Sequence, residues 1–217
     1  MLKKPRVKQR RSLPAYKKGR RTKRSLRSKI VLGFLAVISI TSLILLILPY
    51  LPHLGFLFHQ PRIDATPYKQ AAKNKTLPPS TAPGNRLILP EIGVDAQIID
   101  GRGVYVIGKN QGVWRENGNI SPETPGNLVI AGHRFLYTAT NGGYFYNLPE
   151  LKRGSEIFVK WKDKVYGYEI YNTRTVLPTQ VDIRNNDPSV PRKLTLYTCY
   201  PLGSTSKRYV VEARLIE

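Results

Sequence analysis

Nineteen consecutive residues, Ile30 to Leu48, carry no charge and leave the strongly apolar set only at Gly33, Ser39, Thr41 and Ser42. As a helix this run is about 28 Å long, close to the ~30 Å hydrocarbon thickness of a bilayer. A buried core helix of that character needs a domain to wrap it on all sides, and the flanking segments are polar or proline-rich. A cleaved signal peptide has a shorter apolar region, of ~7 to 15 residues, ending in a small-x-small site. Leu48-Pro49-Tyr50-Leu51-Pro52 offers no such site. Residues 30–48 are therefore expected to be a retained transmembrane signal-anchor helix.

The charge pattern orients it. The chain of 217 residues has a formal charge of +21, but residues 1–29 hold 14 of the 35 Lys and Arg and none of the 14 acids. Residues 30–217 thus carry 21 basic against 14 acidic groups, a net of +7. Basic flanks are retained in the cytoplasm, so residues 1–29 are predicted to be a cytoplasmic tail and everything after the span extracellular. The pairs Arg10-Arg11, Arg20-Arg21 and Lys23-Arg24 suit anionic lipid headgroups. Nucleic-acid binding would call for aromatic residues among the charges, and the tail has only Tyr16. No nucleic-acid partner is expected.

Residues 49–85 contain seven prolines and little apolar period after Phe58, which predicts an extracellular linker. Leu54 to Phe58, with His53 and His59, reads as a segment at the outer membrane interface, so neither histidine is a candidate for catalysis.

Residues 86–217 suffice for one core. Short runs rich in Val, Ile, Leu, Tyr and Thr recur at 86–89, 96–99, 104–107, 128–131, 156–161, 164–176, 194–200 and 209–216, separated by Gly, Pro and Asn turn formers. This punctuation predicts an all-β barrel or sandwich, with at most a turn or two of helix near residues 144–151.

One cysteine, Cys199, excludes an intrachain disulfide and any multi-thiolate metal site. With three histidines in the chain, a zinc enzyme is not expected either, and neither metal nor cofactor is assigned. The β domain holds one thiol and one imidazole, His133. A cysteine nucleophile needs a base to form thiolate and an acid for the leaving group, and one histidine can serve both in turn. The bland alternative is an inert core cysteine beside an unrelated histidine. Alternation in Leu194-Thr195-Leu196-Tyr197-Thr198-Cys199 puts Cys199 on the face opposite the leucines, at the end of a strand. Leu128-Val129-Ile130-Ala131-Gly132 ends likewise, and His133 is the first polar side chain beyond it. Acyl chemistry also needs donors for the developing oxyanion. If 202–207 is a tight turn, Arg208 returns on the neighbouring antiparallel strand beside Cys199; otherwise it is a solvated edge charge.

Thr198-Cys199 closing a Leu-Thr-Leu strand, Pro201, Arg208 opening Arg-Tyr-Val-Val, and Gly-Asn-Leu-Val-Ile-Ala-Gly-His from Gly126 to His133 together resemble the sortases. So do Leu87 to Ile99 and Leu148 to Val159, and the resemblance covers essentially all of residues 86–217. It implies a closed eight-stranded β-barrel with short helical turns. It further implies a cysteine transpeptidase that cleaves a C-terminal Leu-Pro-x-Thr-Gly-like sorting signal between Thr and Gly. The acceptor would be an amine on a peptidoglycan precursor or on a pilin or other surface protein. The roles implied are Cys199 as nucleophile, His133 as acid and base, and Arg208 as ligand of substrate and oxyanion, with Thr198 assisting at the oxyanion. No Asp-Pro-aromatic lid precedes the barrel and no second apolar run follows Ile216, so the chain looks closer to the housekeeping or class D and E branches than to lidded pilin-type enzymes. Two other extracellular Cys-His classes fit less well. The Ser-His-Gly-Cys-x-Arg signature of L,D-transpeptidases is missing, and NlpC/P60-like hydrolases place Cys before His. A noncatalytic surface or pilus-assembly scaffold with an inert Cys199 is the alternative.

Overall fold

The computed structural model describes residues 26–58, 62–78, 82–108, 111–116, 118, 120–135 and 143–216, without the side chains of Pro52 and His53. Most of the basic tail (residues 1–25), His59 and parts of the linker lie outside the described residues. The chain divides into two units, residues 1–44 and 45–217.

Helix α1 (Leu26–Ile47) contains most of the apolar run, and none of its 22 residues is buried. At 1.5 Å per residue it is roughly 33 Å long. The stretch Leu26–Tyr50 is long and apolar enough to cross a membrane.

In the second unit the strands are β1 (Arg86–Leu89), β2 (Val94–Asp100), β3 (Val113–Arg115), β4 (Gly126–Ala131), β5 (Glu156–Trp161), β6 (Lys164–Val176), β7 (Arg192–Tyr200) and β8 (Lys207–Leu215). They close in the order β1-β2-β3-β4-β7-β8-β6-β5, with β5 pairing back to β1. Closure leaves no free edge to template aggregation. The inward residues form one core, including Leu87, Leu89, Leu128, Ile130, Ile157, Leu194, Leu196 and Val211.

Two expectations are corrected. Val104–Ile107, read as a strand, is a 3₁₀ turn, and the eighth strand is Val113–Arg115. Ile107 is fully buried and clusters with Trp114 and Ala131 outside the main core. Val106 packs against the same cluster, beside the parallel β2–β3 pair that only a crossover can connect, whereas Val104 and Tyr105 are exposed. Within the proline-rich 49–85 segment, α2 (Leu51–Phe58) and α3 (Thr66–Asn74) are helices. Pro67 stands in the first turn of α3, where a missing N–H costs nothing. Tyr68, Ala71 and Ala72, at helical spacing, are buried against Ile88, Phe158 and Val165, and Tyr68 stacks on Phe158 with ring centroids 5.8 Å apart.

Candidate active site

Strand β7 is the centre of the site. It pairs in parallel with β4, and the last register pair is Ala131 with Tyr197. His133 and Cys199 each stand two residues beyond that pair, in phase with it. Ala131 and Tyr197 belong to a cluster outside the main core, so a period of two sends Cys199 to the outer surface of the barrel while Leu194 and Leu196 fill the interior. On its other side β7 pairs antiparallel with β8, and Cys199 lies directly opposite Arg208. Residues so paired project from the same face. Histidine, cysteine and arginine therefore arrive from three adjacent strands at one end of the barrel.

They line one cleft of about 330 Å³, together with Trp114, Ile183 and Arg184. Cys199 is a free, half-buried thiol. His133 is half-buried too, and its Nε2 is shielded from solvent without a hydrogen-bond partner among the described residues. Burial lowers the pKa of its ring from the usual 6.5. Two glycines shape the turn that holds it. A Cβ on Gly132 would come within 2.6 Å of the Phe145 ring, and one on Gly143, whose φ is +144°, within 2.7 Å of the His133 carbonyl. Phe145 N–H donates to that carbonyl at 3.1 Å.

Since the folded state disfavours protonated His133, acid should cost this protein stability through that group. The contribution is intact above the unfolded pKa near 6.5 and is lost as pH falls below it toward the lowered folded value. The denaturation midpoint of the wild type should drop more between pH 7 and pH 5 than that of His133→Asn. Parallel pH curves for the two proteins would refute this.

Arg208 Nη1 donates to the carbonyls of Thr205 and Lys207, at 2.9 and 3.0 Å. Both bonds use one nitrogen, leaving Nε and Nη2 without an acceptor among the described residues. Thr198 precedes Cys199 on β7. Its side chain is 2% exposed, on the interior phase of β7, and its hydroxyl donates to the Gly132 carbonyl at 2.8 Å. A threonine has one O–H to give, and here it ties β7 to the turn that carries His133.

Several residues that line or support the cleft carry no local sequence signal. Glu116 accepts from Tyr197 OH at 2.8 Å and from Arg184 Nε at 2.6 Å. Burial, with Glu116 adding to it, pushes the Tyr197 phenol well above its ordinary pKa. Arg184 belongs to the 3₁₀ turn Val181–Arg184 in the β6–β7 connection, which forms one wall of the cleft. Asn127 holds that wall from beneath. It is fully buried; its Nδ2 donates to Ile183 O at 2.8 Å and Asn185 O at 3.1 Å, and its Oδ1 accepts from Thr195 at 2.8 Å. Arg134 places its guanidinium 4.9 Å from the centre of the Tyr200 ring. Its Nε and Nη1 are buried without a hydrogen-bond partner among the described residues, and burial lowers its pKa against the opposing pull of Tyr200, Tyr146, Glu150 and Cys199.

Residues 87–216 match the family model of the sortase domain. Sortase A of Streptococcus agalactiae is 28% identical over 130 residues, which are 59% of this chain and 51% of that protein. The chain thus spans about half the length of that curated relative. A Clostridium perfringens sortase D5 transpeptidase superposes with a TM-score of 0.52 at 28% identity, covering 61% of this chain and 78% of that one. Sortase C-1 of Actinomyces oris gives 0.54 at 29% identity, over 61% and 73%. Likeness of the same degree to two branches does not single out either of them. With a family match running through the whole barrel, from β1 past the last residue of β8, the chain belongs to the sortase family.

Proposed function

We propose that this protein is a membrane-anchored cysteine transpeptidase that cleaves a Leu-Pro-x-Thr-Gly-like sorting signal and passes the acyl group to an amine on the cell wall or on another surface protein. The observation that carries this reading is the register of three adjacent strands, which sets Cys199 between the strand leading to His133 and the strand bearing Arg208.

In this mechanism burial keeps the His133 ring neutral and ready to accept the Cys199 proton. The thiolate attacks the Thr carbonyl carbon, and negative charge develops on its oxygen. Arg208, with two guanidinium nitrogens uncommitted, faces that charge. As the intermediate collapses the C–N bond to Gly breaks, and the His133 imidazolium protonates the departing amine. The acyl group stays on Cys199 as a thioester. An incoming amine then attacks, gives its proton to His133, and releases the thiolate. Water in place of the amine would give hydrolysis. The test is a peptide bearing the sorting signal, followed by mass spectrometry. A Thr-terminated acyl adduct on Cys199, converted to the hydroxamate by hydroxylamine, is expected. Peptide left intact, together with a folded Cys199 inert to iodoacetamide, would favour the scaffold alternative.

Asn127 should govern substrate affinity through the cleft wall. Asn127→Leu removes two hydrogen bonds to that wall, worth about 1 kcal/mol each, and should raise KM for the peptide by tenfold or more with kcat little changed. Hydrogen exchange in residues 177–186 should accelerate in the same variant. An unchanged KM would place the wall outside the binding site.

The basic tail before the span orients the chain with its N-terminus inside and the barrel outside. Protease added to intact protoplasts should therefore digest residues beyond about Pro49 and spare the tail. Protection of the barrel would reverse this topology.

A further inference from the structure

Helix α2 has two apolar faces, and the protein covers one of them. Phe56 is 6% exposed and belongs to the barrel core. Successive residues on a helix are turned by about 100°, which places Leu51, Leu54 and Phe58 on the side opposite Phe56 and Leu57 at the edge of that side. These four are 48%, 46%, 55% and 81% exposed. Eight residues are too few for a helix to persist alone, so α2 is held by its packing on the barrel. The segment is fixed just before its first turn as well, where the Pro49 carbonyl accepts a hydrogen bond from Tyr146 OH at 2.7 Å. The outward stripe is therefore a fixed surface, with Leu51, Leu54 and Phe58 facing away from the core and Leu57 exposed at its edge.

We propose that this face of α2 is a lipid-docking surface, lying in the headgroup and acyl boundary of the outer leaflet as a second point of attachment for the barrel. The inference rests on the anchoring reading above. Lipid is the occupant because the apolar stretch long enough to span ends at Tyr50 and α2 begins at the next residue. The helix also contains no Asp, Glu, Lys or Arg to oppose insertion. Interfacial helices sink such a face about 5–10 Å into the boundary. Tyr146 lies three residues after Gly143, which packs on the His133 carbonyl, so the docked element is joined to the frame of the active site.

The experiment uses the full-length chain in lipid nanodiscs, in a Cys199→Ala background so that the only thiol is the one introduced. Leu57→Cys, Ile38→Cys in α1 and Asp163→Cys in the exposed β5–β6 turn are each labelled with an environment-sensitive fluorophore. Nitroxide quenchers are carried on the lipid chains at shallow and deep positions. The label at residue 57 should be blue-shifted and quenched most by shallow nitroxides, that at residue 38 most by deep ones, and that at residue 163 by neither. A quenched label at 38 with a label at 57 that behaves like 163 overturns lipid docking while leaving the anchor intact. A blue-shifted but unquenched label at 57 overturns it in favour of a second copy of the chain on this face. An unquenched label at 38 overturns the anchoring reading and the inference together.

Discussion

Replacing Cys199 with alanine is expected to abolish both cleavage of the sorting peptide and transfer to an amine, with the fold intact. Cys199 is the chain's only thiol, and no other nucleophile stands at its place opposite Arg208. Loss of a nucleophile or its base costs on the order of 10⁴- to 10⁶-fold in rate in well-studied enzymes. The thiol is half-buried at a strand end, so the melting temperature should hardly move. His133→Ala should be inactive to a similar degree, and the double variant little worse than either single one, because the pair acts as a unit. His53→Ala and His59→Ala should keep activity. The assay is peptide turnover by mass spectrometry beside a thermal melt; comparable loss in His59→Ala, or turnover by Cys199→Ala, would mean that the dyad is misassigned.

Arg208→Lys is expected to lose nearly as much activity as Arg208→Ala. A solvated edge charge would tolerate lysine, since surface substitutions usually stay within ±0.5 kcal/mol. An oxyanion ligand needs a planar fork with donors at set spacing, and a single ammonium cannot reproduce it. The geometry sharpens the contrast. One guanidinium nitrogen is already engaged by the Thr205 and Lys207 carbonyls, and that anchoring aims the other two. Lysine can satisfy the turn or the oxyanion, but not both in fixed positions. Loss of one oxyanion donor costs about 2.7–4 kcal/mol in the barrier, a hundred- to a thousandfold in rate. Transpeptidation rate with a parallel melting curve decides the matter, and a lysine variant near the wild-type rate would return Arg208 to an ordinary surface role.

Much of this architecture is legible along the chain because it depends on short-range periodicity. Residues 86–89, 156–161 and 164–176 are strands with the boundaries that their composition predicts. The alternation in Leu194 to Cys199 correctly separates interior leucines from the cysteine face. The errors are equally physical. Three residues, Val113 to Arg115, are too few for a period of two to declare itself, and Trp114 is held by a hydrogen bond from Nε1 to the Gly101 carbonyl, thirteen residues away. Prolines at 52 and 67 suggest a spacer until their place in the first turn of a helix is known. The hydrogen bond from Thr198 to Gly132 is equally hidden in the chain, its partner lying 66 residues away.

Local pattern alone determined the apolar run, the β class of the domain, the identity of its one thiol and one imidazole, and the face on which the thiol lies. These follow from charge, hydropathy and a period of two, all of which act between near neighbours in the chain. Only the tertiary structure decided what surrounds Cys199. Strand order sets β7 between β4 and β8, and a buried asparagine 56 residues from Ile183 holds up the cleft wall. A carboxylate 68 residues from Arg184 latches that wall in place. Hydrogen bonds and ion pairs act over a few ångströms in space with no regard for sequence separation, so their partners exist only once the barrel has closed.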